Sequence, residues 1–388
     1  MDLLFIADGR SPIATNWINY FIAQGYAVHL ISTYPCEIDS RLASFHFVPV
    51  GMSEYIGTNP KRVDKSILRK IIPVGMRTEI RQWLGPRTLS SAAKRVHDLV
   101  VKFNPDLIHA MRIPFEGILA SLALREILRI PLVISVWGND FTLHAPASRK
   151  LSDLTRQALK HANALHTDCQ RDQRLAIQWG FTSGKPTLLA PGNGGIKMGI
   201  FYPSKTAANK PIIINPRGFR AYVRNDTFFY SIPHVLNEIP DAHFLCPGMA
   251  GEAQAQRWVL ELGISNSVDL LEKQSLNQMA GLYRRSIIST SITTHDGTPN
   301  TLLEAMASGC YPIVGDIETM HEWIVNGING LLVDPADPEK LAQAIVTSVN
   351  DHQRRLEAAN INLELIEERA DYQDVMEKVV IFYKDLIQ

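Results

Sequence analysis

The chain has 388 residues, enough for about two domains, with 46% hydrophobic and 20% charged residues and a formal net charge of zero. Its four cysteines, Cys36, Cys169, Cys246 and Cys310, lie far apart with no CxxC spacing. That pattern excludes a zinc framework or a disulfide scaffold. No stretch reaches the roughly 18 apolar residues of a membrane span, and balanced charge without a recognisable motif argues against nucleic acid as a partner.

Leu3–Ala7 reads as a first strand rather than a signal peptide, because no basic region or cleavage site accompanies it; a cytoplasmic location is expected. Asn16–Gln24 has helical periodicity and stops at Gly25. Val28–Ser32 is a second strand. Between 60 and 97, ten basic residues face only Asp64 and Glu79, interleaved with apolar residues such as Ile71, Ile72 and Trp83. Such a segment suits either a solvated helical pair or peripheral docking on anionic membrane. Asp106–Ala110 and Leu132–Val136 are short strands separated by a helical run, Phe115–Leu128. This β-α-β alternation predicts a parallel sheet covered by helices.

A Pro- and Gly-rich stretch, Pro186–Pro211, marks a linker, with the boundary placed near 205. Charge supports two bodies: residues 1–204 hold 24 Lys and Arg against 15 Asp and Glu, and residues 205–388 hold 15 against 24. The second half repeats the alternation, with strands at Ile212–Asn215, Ala242–Cys246, Ser267–Leu271, Ile287–Ile292, Tyr311–Val314 and Gly330–Val333. The tail from Leu356 to Gln388 reads as mostly helical. In doubly wound folds ligands bind beyond the carboxyl ends of strands, so the loops there are the places to search for chemistry.

The segment from His295 to Gly309 is the most informative. A strand runs into a Gly297/Pro299 turn and then into a helix near Asn300, with Asn300 or Thr298 as its cap. The free N–H groups of such a helix start suit a diphosphate. Asp296 precedes the helix, and Glu304, one turn inside it, is placed to accept hydrogen bonds from a ribose diol. After the strand Ile212–Asn215 the loop carries three arginines, Arg217, Arg220 and Arg224, whose side chains can hold phosphate oxygens in bidentate fashion. No Asp-x-Asp pair is present to hold a divalent metal with a nucleotide.

The run from His295 through "LLEAMASGCYPIVGD" to "VNGINGLLVDPADPEKLAQAI" resembles the C-terminal signature of retaining family-4 glycosyltransferases. That family has two acidic residues separated by seven others, matched here by Asp296 and Glu304, followed by Gly309, Pro312, Glu322, Gly327, Gly330, Asp334 and Pro335. The resemblance implies a GT-B α/β fold: two Rossmann-like parallel-sheet domains facing each other across a cleft. It sets 1–204 as an acceptor domain, 205–370 as a donor domain and 371–388 as a helix returning to the first domain. It implies that Asp296 contacts the transferred sugar and that the backbone of Gly297, Thr298, Pro299, Asn300, Thr301 and Leu302 holds sugar and phosphate. Glu304 binds the ribose, and Arg217 with Arg224 the phosphates. "PDLIHAMRIPFEG" and "SVWGNDF" resemble the family's strand-end segments, giving His109 and Asp140 catalytic positions. Gly9 and Ser11 stand where the family has a glycine pair beside the donor.

Two departures stand out. Asp296 replaces a commoner Glu, and Tyr222 stands where the family carries a Lys. The activity implied is metal-independent, retaining transfer of a hexose, of the glucose type, from a UDP-sugar to a glycan or lipid-linked glycan in polysaccharide synthesis. The UDP-sugar is a substrate and no cofactor is expected. The alternatives are a sugar-nucleotide epimerase and a non-catalytic relative that binds sugar nucleotide or glycan.

Overall fold

The computed structural model describes residues 1–50, 53, 74–127, 129–204 and 210–388, the side chains of 74–87 apart. The proposed membrane-docking run 60–97 therefore lies outside the described residues up to 73, and outside the described side chains up to 87. The end of the predicted helix at Leu128 lies outside them too. Among the described residues no helix is long and apolar enough to cross a membrane.

The chain divides into two compact units, Met1–Gly194 with Asp374–Gln388, and Gly195–Gln373. The change of unit falls at Gly194–Gly195, inside the stretch Pro186–Pro211 and before the boundary placed near 205.

The first unit is built on β1 (Asp2–Ala7), β2 (Ala27–Ser32), β3 (Ser44–Phe47), β4 (Leu107–Ala110), β5 (Leu132–Val136), β6 (Ala164–Thr167) and β7 (Thr187–Leu189). These strands form one sheet in the order β3-β2-β1-β4-β5-β6-β7, all pairs parallel. Helices α1 (Pro12–Ala23), α2 (Val74–Phe103), α3 (Ile118–Ala123), α4 (Arg149–His161) and α5 (Gln170–Gln178) cover its faces. Strands buried on both faces become continuous apolar runs rather than alternating ones. Leu3, Leu4, Phe5, Ile6 and Ala7 accordingly all sit in the interior. On α2, Leu89, Ala92, Ala93, Val96 and Val100 recur at helical spacing and join the core with Ile118, Leu119 and Ile134. Truncating one such side chain, Ile6→Ala for example, costs about 2–5 kcal/mol.

The second unit has β8 (Ile212–Ile214), β9 (His243–Pro247), β10 (Val268–Leu271), β11 (Ile288–Ser291), β12 (Tyr311–Gly315) and β13 (Leu331–Val333). Their order is β10-β9-β8-β11-β12-β13, again parallel throughout. The helices are α6 (Asn225–Glu238), α7 (Ala253–Glu261), α8 (Leu276–Arg285), α9 (Asn300–Ala307), α10 (Pro338–Asn350) and α11 (His352–Ala370). The tail predicted as mostly helical, Leu356–Gln388, thus holds the end of α11 and one further helix. That helix, α12 (Tyr372–Ile387), follows a break at Asp371, where the backbone turns extended (φ −58°, ψ 133°).

At that break Ile196 donates to the Ala370 carbonyl (2.7 Å), and Tyr372 donates to the Ile196 carbonyl (3.0 Å). Gly195 makes the contact feasible. Its φ is +106°, and a Cβ there would lie 2.6 Å from the Ala370 oxygen. From Asp374 onward α12 belongs to the first unit, where Tyr383 stacks on Phe21 at 5.1 Å between ring centroids.

Candidate active site

Strand order reverses direction between β8 and β11 in the second sheet, so the loops after these two strands flank a crevice, the usual ligand position in doubly wound folds. Those two loops carry Arg217 and Asp296. The side chains of Asn215 and Asn225 shape the first loop. Asn215 Nδ2 donates to Asn225 Oδ1 (3.1 Å), Asn225 Nδ2 donates to the Gly218 carbonyl (3.1 Å), and Asn215 Oδ1 accepts from the Arg217 N–H (3.3 Å). Arg217 is thereby turned inward and is only 5% exposed. Its guanidinium pairs with the Asp296 carboxylate and donates to Thr301 Oγ1 (3.1 Å). Its Nε–H, buried in the same place, has no acceptor. A buried cation with a donor left over is a costly arrangement unless a ligand completes it.

The second loop is braced by two side chains further along the chain. Thr319 donates to the Asp296 carbonyl (3.0 Å), and the Trp323 indole donates to Thr298 Oγ1 (3.0 Å). Neither predicted cap forms. Pro299 is the N-cap of α9 without a side-chain bond, Asn300 is the first helical residue, and the Thr298 oxygen serves Trp323. Pro299 has no N–H, and the N–H of Leu302 goes to the Pro299 carbonyl (2.9 Å) while its side chain is buried. Leu302 and the Pro299 nitrogen are therefore not donors to a ligand. Gly297 donates to its neighbour's Asp296 Oδ1 (3.2 Å). Asn300 and Thr301 occupy the first turn, whose N–H groups have no acceptors within a helix.

Glu304 lies one turn along from Thr301. Burial pushes its carboxyl up to about 7, against the opposing pull of the Tyr283 hydroxyl and the Arg217 charge. The Tyr283 hydroxyl reaches Glu304 Oε2 at 3.3 Å and the Thr301 carbonyl at 3.2 Å. Arg224 departs from expectation. It is closed on Asp226 (Nη2–Oδ2 2.8 Å, Nε–Oδ1 2.9 Å), and Arg220 donates to the Tyr222 hydroxyl (3.1 Å).

In the first unit the reversal lies between β1 and β4. Gly9, after β1, approaches β2 closely: its N–H donates to Ser32 Oγ (3.0 Å), and a Cβ there would lie 2.8 Å from that oxygen. Packing explains this glycine without a ligand. Ser11 precedes α1 as its N-cap with no side-chain bond. Arg10 pairs with Asp8 (2.8 Å) and lies 3.6 Å over the Tyr34 ring.

The structure places His109 and Asp140 in the interior of the first unit. His109 is fully buried, with Nδ1 on the Tyr383 hydroxyl and Nε2 on Ser135 Oγ (2.8 Å). Ser135 Oγ continues to His166 Nδ1 (2.9 Å), and His166 Nε2 to the Ala190 carbonyl (3.0 Å). Burial holds the His109 imidazole well below its ordinary range and His166 at about 4, so both are neutral. With both nitrogens occupied, His109 forms part of an interior hydrogen-bond chain. Asp140 is likewise sealed. It accepts from Arg112 Nε (3.0 Å) and from the Trp137 N–H (3.0 Å). It holds Arg112, whose φ of +142° is unusual for a side-chain-bearing residue.

Sequence reasoning missed Tyr283, Tyr383 and a buried polar group after β6. In that group the ligand atoms of Asp168, Cys169 and Asp172 lie within 4.8 Å of one another. Arg171 already pairs with Asp172 (2.9 Å), and burial pushes the Cys169 thiol far up, so the set suits an internal ion pair better than a metal. The arginine one residue before an aspartate was the only signal available.

Comparisons with known proteins agree on one family. Residues 2–169 match the family described as "Glycosyl transferase 4-like", and residues 210–351 match "Glycosyl transferases group 1". D-inositol 3-phosphate glycosyltransferase of Corynebacterium urealyticum is 25% identical over 127 residues, 31% of this chain and 30% of that protein. The O-antigen chain mannosyltransferase RfbU of Salmonella typhimurium is 35% identical over 92 residues, 23% of this chain and 25% of that protein. The matched part thus spans about a quarter to a third of these curated relatives. Among solved structures, sucrose-phosphate synthase of Thermosynechococcus elongatus superposes with a TM-score of 0.76 at 16% identity, covering 100% of this chain and 99% of that one. Anabaena HepE in complex with UDP-glucose gives 0.74 at 15% identity, covering 99% and 100%. Such identities speak to the fold alone, while the two family matches fall one on each sheet. The chain therefore belongs to the group 1 and 4-like glycosyltransferases and has their GT-B fold.

Proposed function

We propose that the protein transfers a hexosyl group of the glucose type, with retention, from a UDP-sugar to a hydroxyl of a glycan or lipid-linked glycan. The observation that carries this reading is Arg217: a buried guanidinium beside Asp296, with an unmatched Nε–H, at the start of α9. A diphosphate supplies the acceptor oxygens that Arg217 lacks and meets the positive end of the helix. Asp296 then accepts from the sugar hydroxyls, and Glu304 from the ribose. The HepE structures, solved with UDP, UDP-glucose and glucose, support UDP-glucose as the first donor to try.

The bond from the anomeric carbon to the phosphate oxygen breaks, the acceptor oxygen bonds to that carbon on the same face, and the acceptor proton passes to the leaving phosphate. Arg217 and the first-turn N–H groups stabilise the charge that develops there. The basic run 60–97 supports peripheral docking on the cytoplasmic face of an anionic membrane, where a lipid-linked acceptor is met. Vesicle association that falls with salt is the expected result, and salt-insensitive or absent association removes that part of the reading.

The test of the whole is calorimetry with UDP, GDP and ADP, followed by NMR of the anomeric configuration released from UDP-hexoses, with and without chelator. Chelator-insensitive UDP binding and slow release of an α-hexose are expected. No nucleotide binding would leave a non-catalytic glycan-binding relative as the better reading, and inversion would refute the retaining mechanism.

A further inference from the structure

Tyr283 stands on α8 with no solvent exposure. Phe201 meets its ring edge-on at 6.1 Å between centroids, and the Cys310 thiol donates to its backbone carbonyl (3.2 Å). Neither the ring nor the backbone is free to move. Its hydroxyl therefore has a fixed position, between the Thr301 carbonyl (3.2 Å) and Glu304 Oε2 (3.3 Å). A phenol has one proton to give. An ionised carboxylate is the stronger acceptor, so the bond belongs to Glu304 when that group is charged and passes to Thr301 when it is protonated.

We propose that Tyr283 is a positioning residue for the donor's nucleoside: its hydroxyl fixes one oxygen of the Glu304 carboxylate so that the remaining lone pairs meet the vicinal diol of a ribose. This rests on the proposed donor-binding role of Glu304. A carboxylate free to rotate accepts from a diol at an entropic cost; one oxygen pinned from behind removes most of that cost. The charged form also needs support. Burial raises the Glu304 carboxyl to about 7, and the hydrogen bond from Tyr283 is the first of the two influences that resist the rise. The titratable and charged groups that face Glu304 are Tyr283 from α8 and Arg217 from the loop after β8. Cys310 lies behind Tyr283, and burial pushes its thiol up, so it stays neutral. Arg217 is shared with Asp296 and Thr301, which leaves Tyr283 as the neighbour whose side chain has no other side-chain acceptor.

The experiment is calorimetric titration of UDP into the full chain and into Tyr283→Phe, from about pH 6 to about pH 9, with thermal melts to confirm folding. Wild-type affinity is expected to fall as the pH drops through about 7. Tyr283→Phe is expected to bind severalfold more weakly at every pH, including alkali where Glu304 is charged, with its midpoint moved to higher pH. With the 2′-deoxy analogue of UDP the difference between the two proteins shrinks. Because Tyr283→Phe leaves a buried gap, 3-fluorotyrosine at the same position is the second variant. Its stronger donor moves the midpoint to lower pH. No loss, or an equal loss for UDP and its 2′-deoxy analogue with an unmoved midpoint, overturns the positioning role alone. A wild-type protein that binds no nucleotide at any pH removes the donor reading, and the inference with it.

Discussion

The Arg217 guanidinium and the Asp296 carboxylate are paired across the crevice between the loops after β8 and β11, with Arg217 almost wholly buried. Whatever anion Arg217 is built to hold must compete with a carboxylate already in place. Asp296→Asn removes the competitor, so UDP is expected to bind several times more tightly to that variant while sugar transfer falls. A double-mutant cycle separates this from simple charge repulsion. In an Arg217→Met background the gain from Asp296→Asn disappears if competition is the cause and persists if repulsion is. Weaker UDP binding by Asp296→Asn would reverse the argument.

Glu304 trades stability for function. Its carboxyl is raised from an ordinary 4.5 to about 7 in the folded protein, chiefly by burial. The folded state therefore binds the proton more tightly than the unfolded chain. Its contribution is complete below the unfolded value and is lost as pH rises through about 7. Glu304→Gln should accordingly stabilise the ligand-free protein at alkaline pH by roughly 1–3 kcal/mol. Near pH 4 the gain should vanish. Urea unfolding at the two pH values checks this, and an equal effect at both would refute the linkage.

The chain from Tyr383 through His109 and Ser135 to His166 is structural. Tyr383→Phe leaves the His109 Nδ1 without its partner and should cost about 1–3 kcal/mol, with transfer per folded molecule unchanged. The histidines also set an acid limit. Burial lowers both, His166 to about 4, so the unfolded chain takes up protons that the folded one refuses below the ordinary histidine range. Melting temperature is expected to fall from about pH 6.5 towards about pH 4. A His109→Gln variant that folds yet loses turnover entirely would restore His109 to the chemistry.

Two glycines with positive φ make a matched pair. A Cβ on Gly184 (φ +87°) meets nothing within 4 Å, whereas one on Gly195 (φ +106°) would fall 2.6 Å from the Ala370 carbonyl oxygen. Gly184→Ala should cost only the backbone strain, about 1–2 kcal/mol. Gly195→Ala should cost clearly more, because backbone rather than a side-chain tip must move. Equal melting temperatures for the two variants would show that the Ala370 contact relaxes freely.

The parallel sheets were legible because their strands are buried on both faces and so become short apolar runs between breakers. Leu132–Val136 is predicted and found with the same bounds. The strands not foreseen are the less regular ones. Ser44–Phe47 at one sheet edge is only half-buried, Thr187–Leu189 at the other edge is partly exposed, and Ala164–Thr167 follows α4 with little punctuation. In the site, Arg217, Asp296 and Glu304 were readable because strand-loop-helix spacing places them, a local property. The burial of His109 was not legible, because strand-end position says nothing about Tyr383, its partner 274 residues away. Tyr283 and its hydroxyl escaped notice for the same reason: a tyrosine in an amphipathic helix resembles core until a neighbouring helix is known.

The break at Asp371 carries a consequence for how the molecule is made. The first unit takes its last element from residues 374–388, and that element supplies the ring stacked on Phe21 and the hydroxyl on His109. A ribosome delivering this chain from its N-terminus releases the second unit as one uninterrupted stretch, Gly195–Gln373, before the first can be finished. The earlier-synthesised body is thus the later to mature. Its sheet must wait with an apolar face uncovered and a histidine unsatisfied, and a nascent chain stalled before residue 374 is where chaperones should find their substrate.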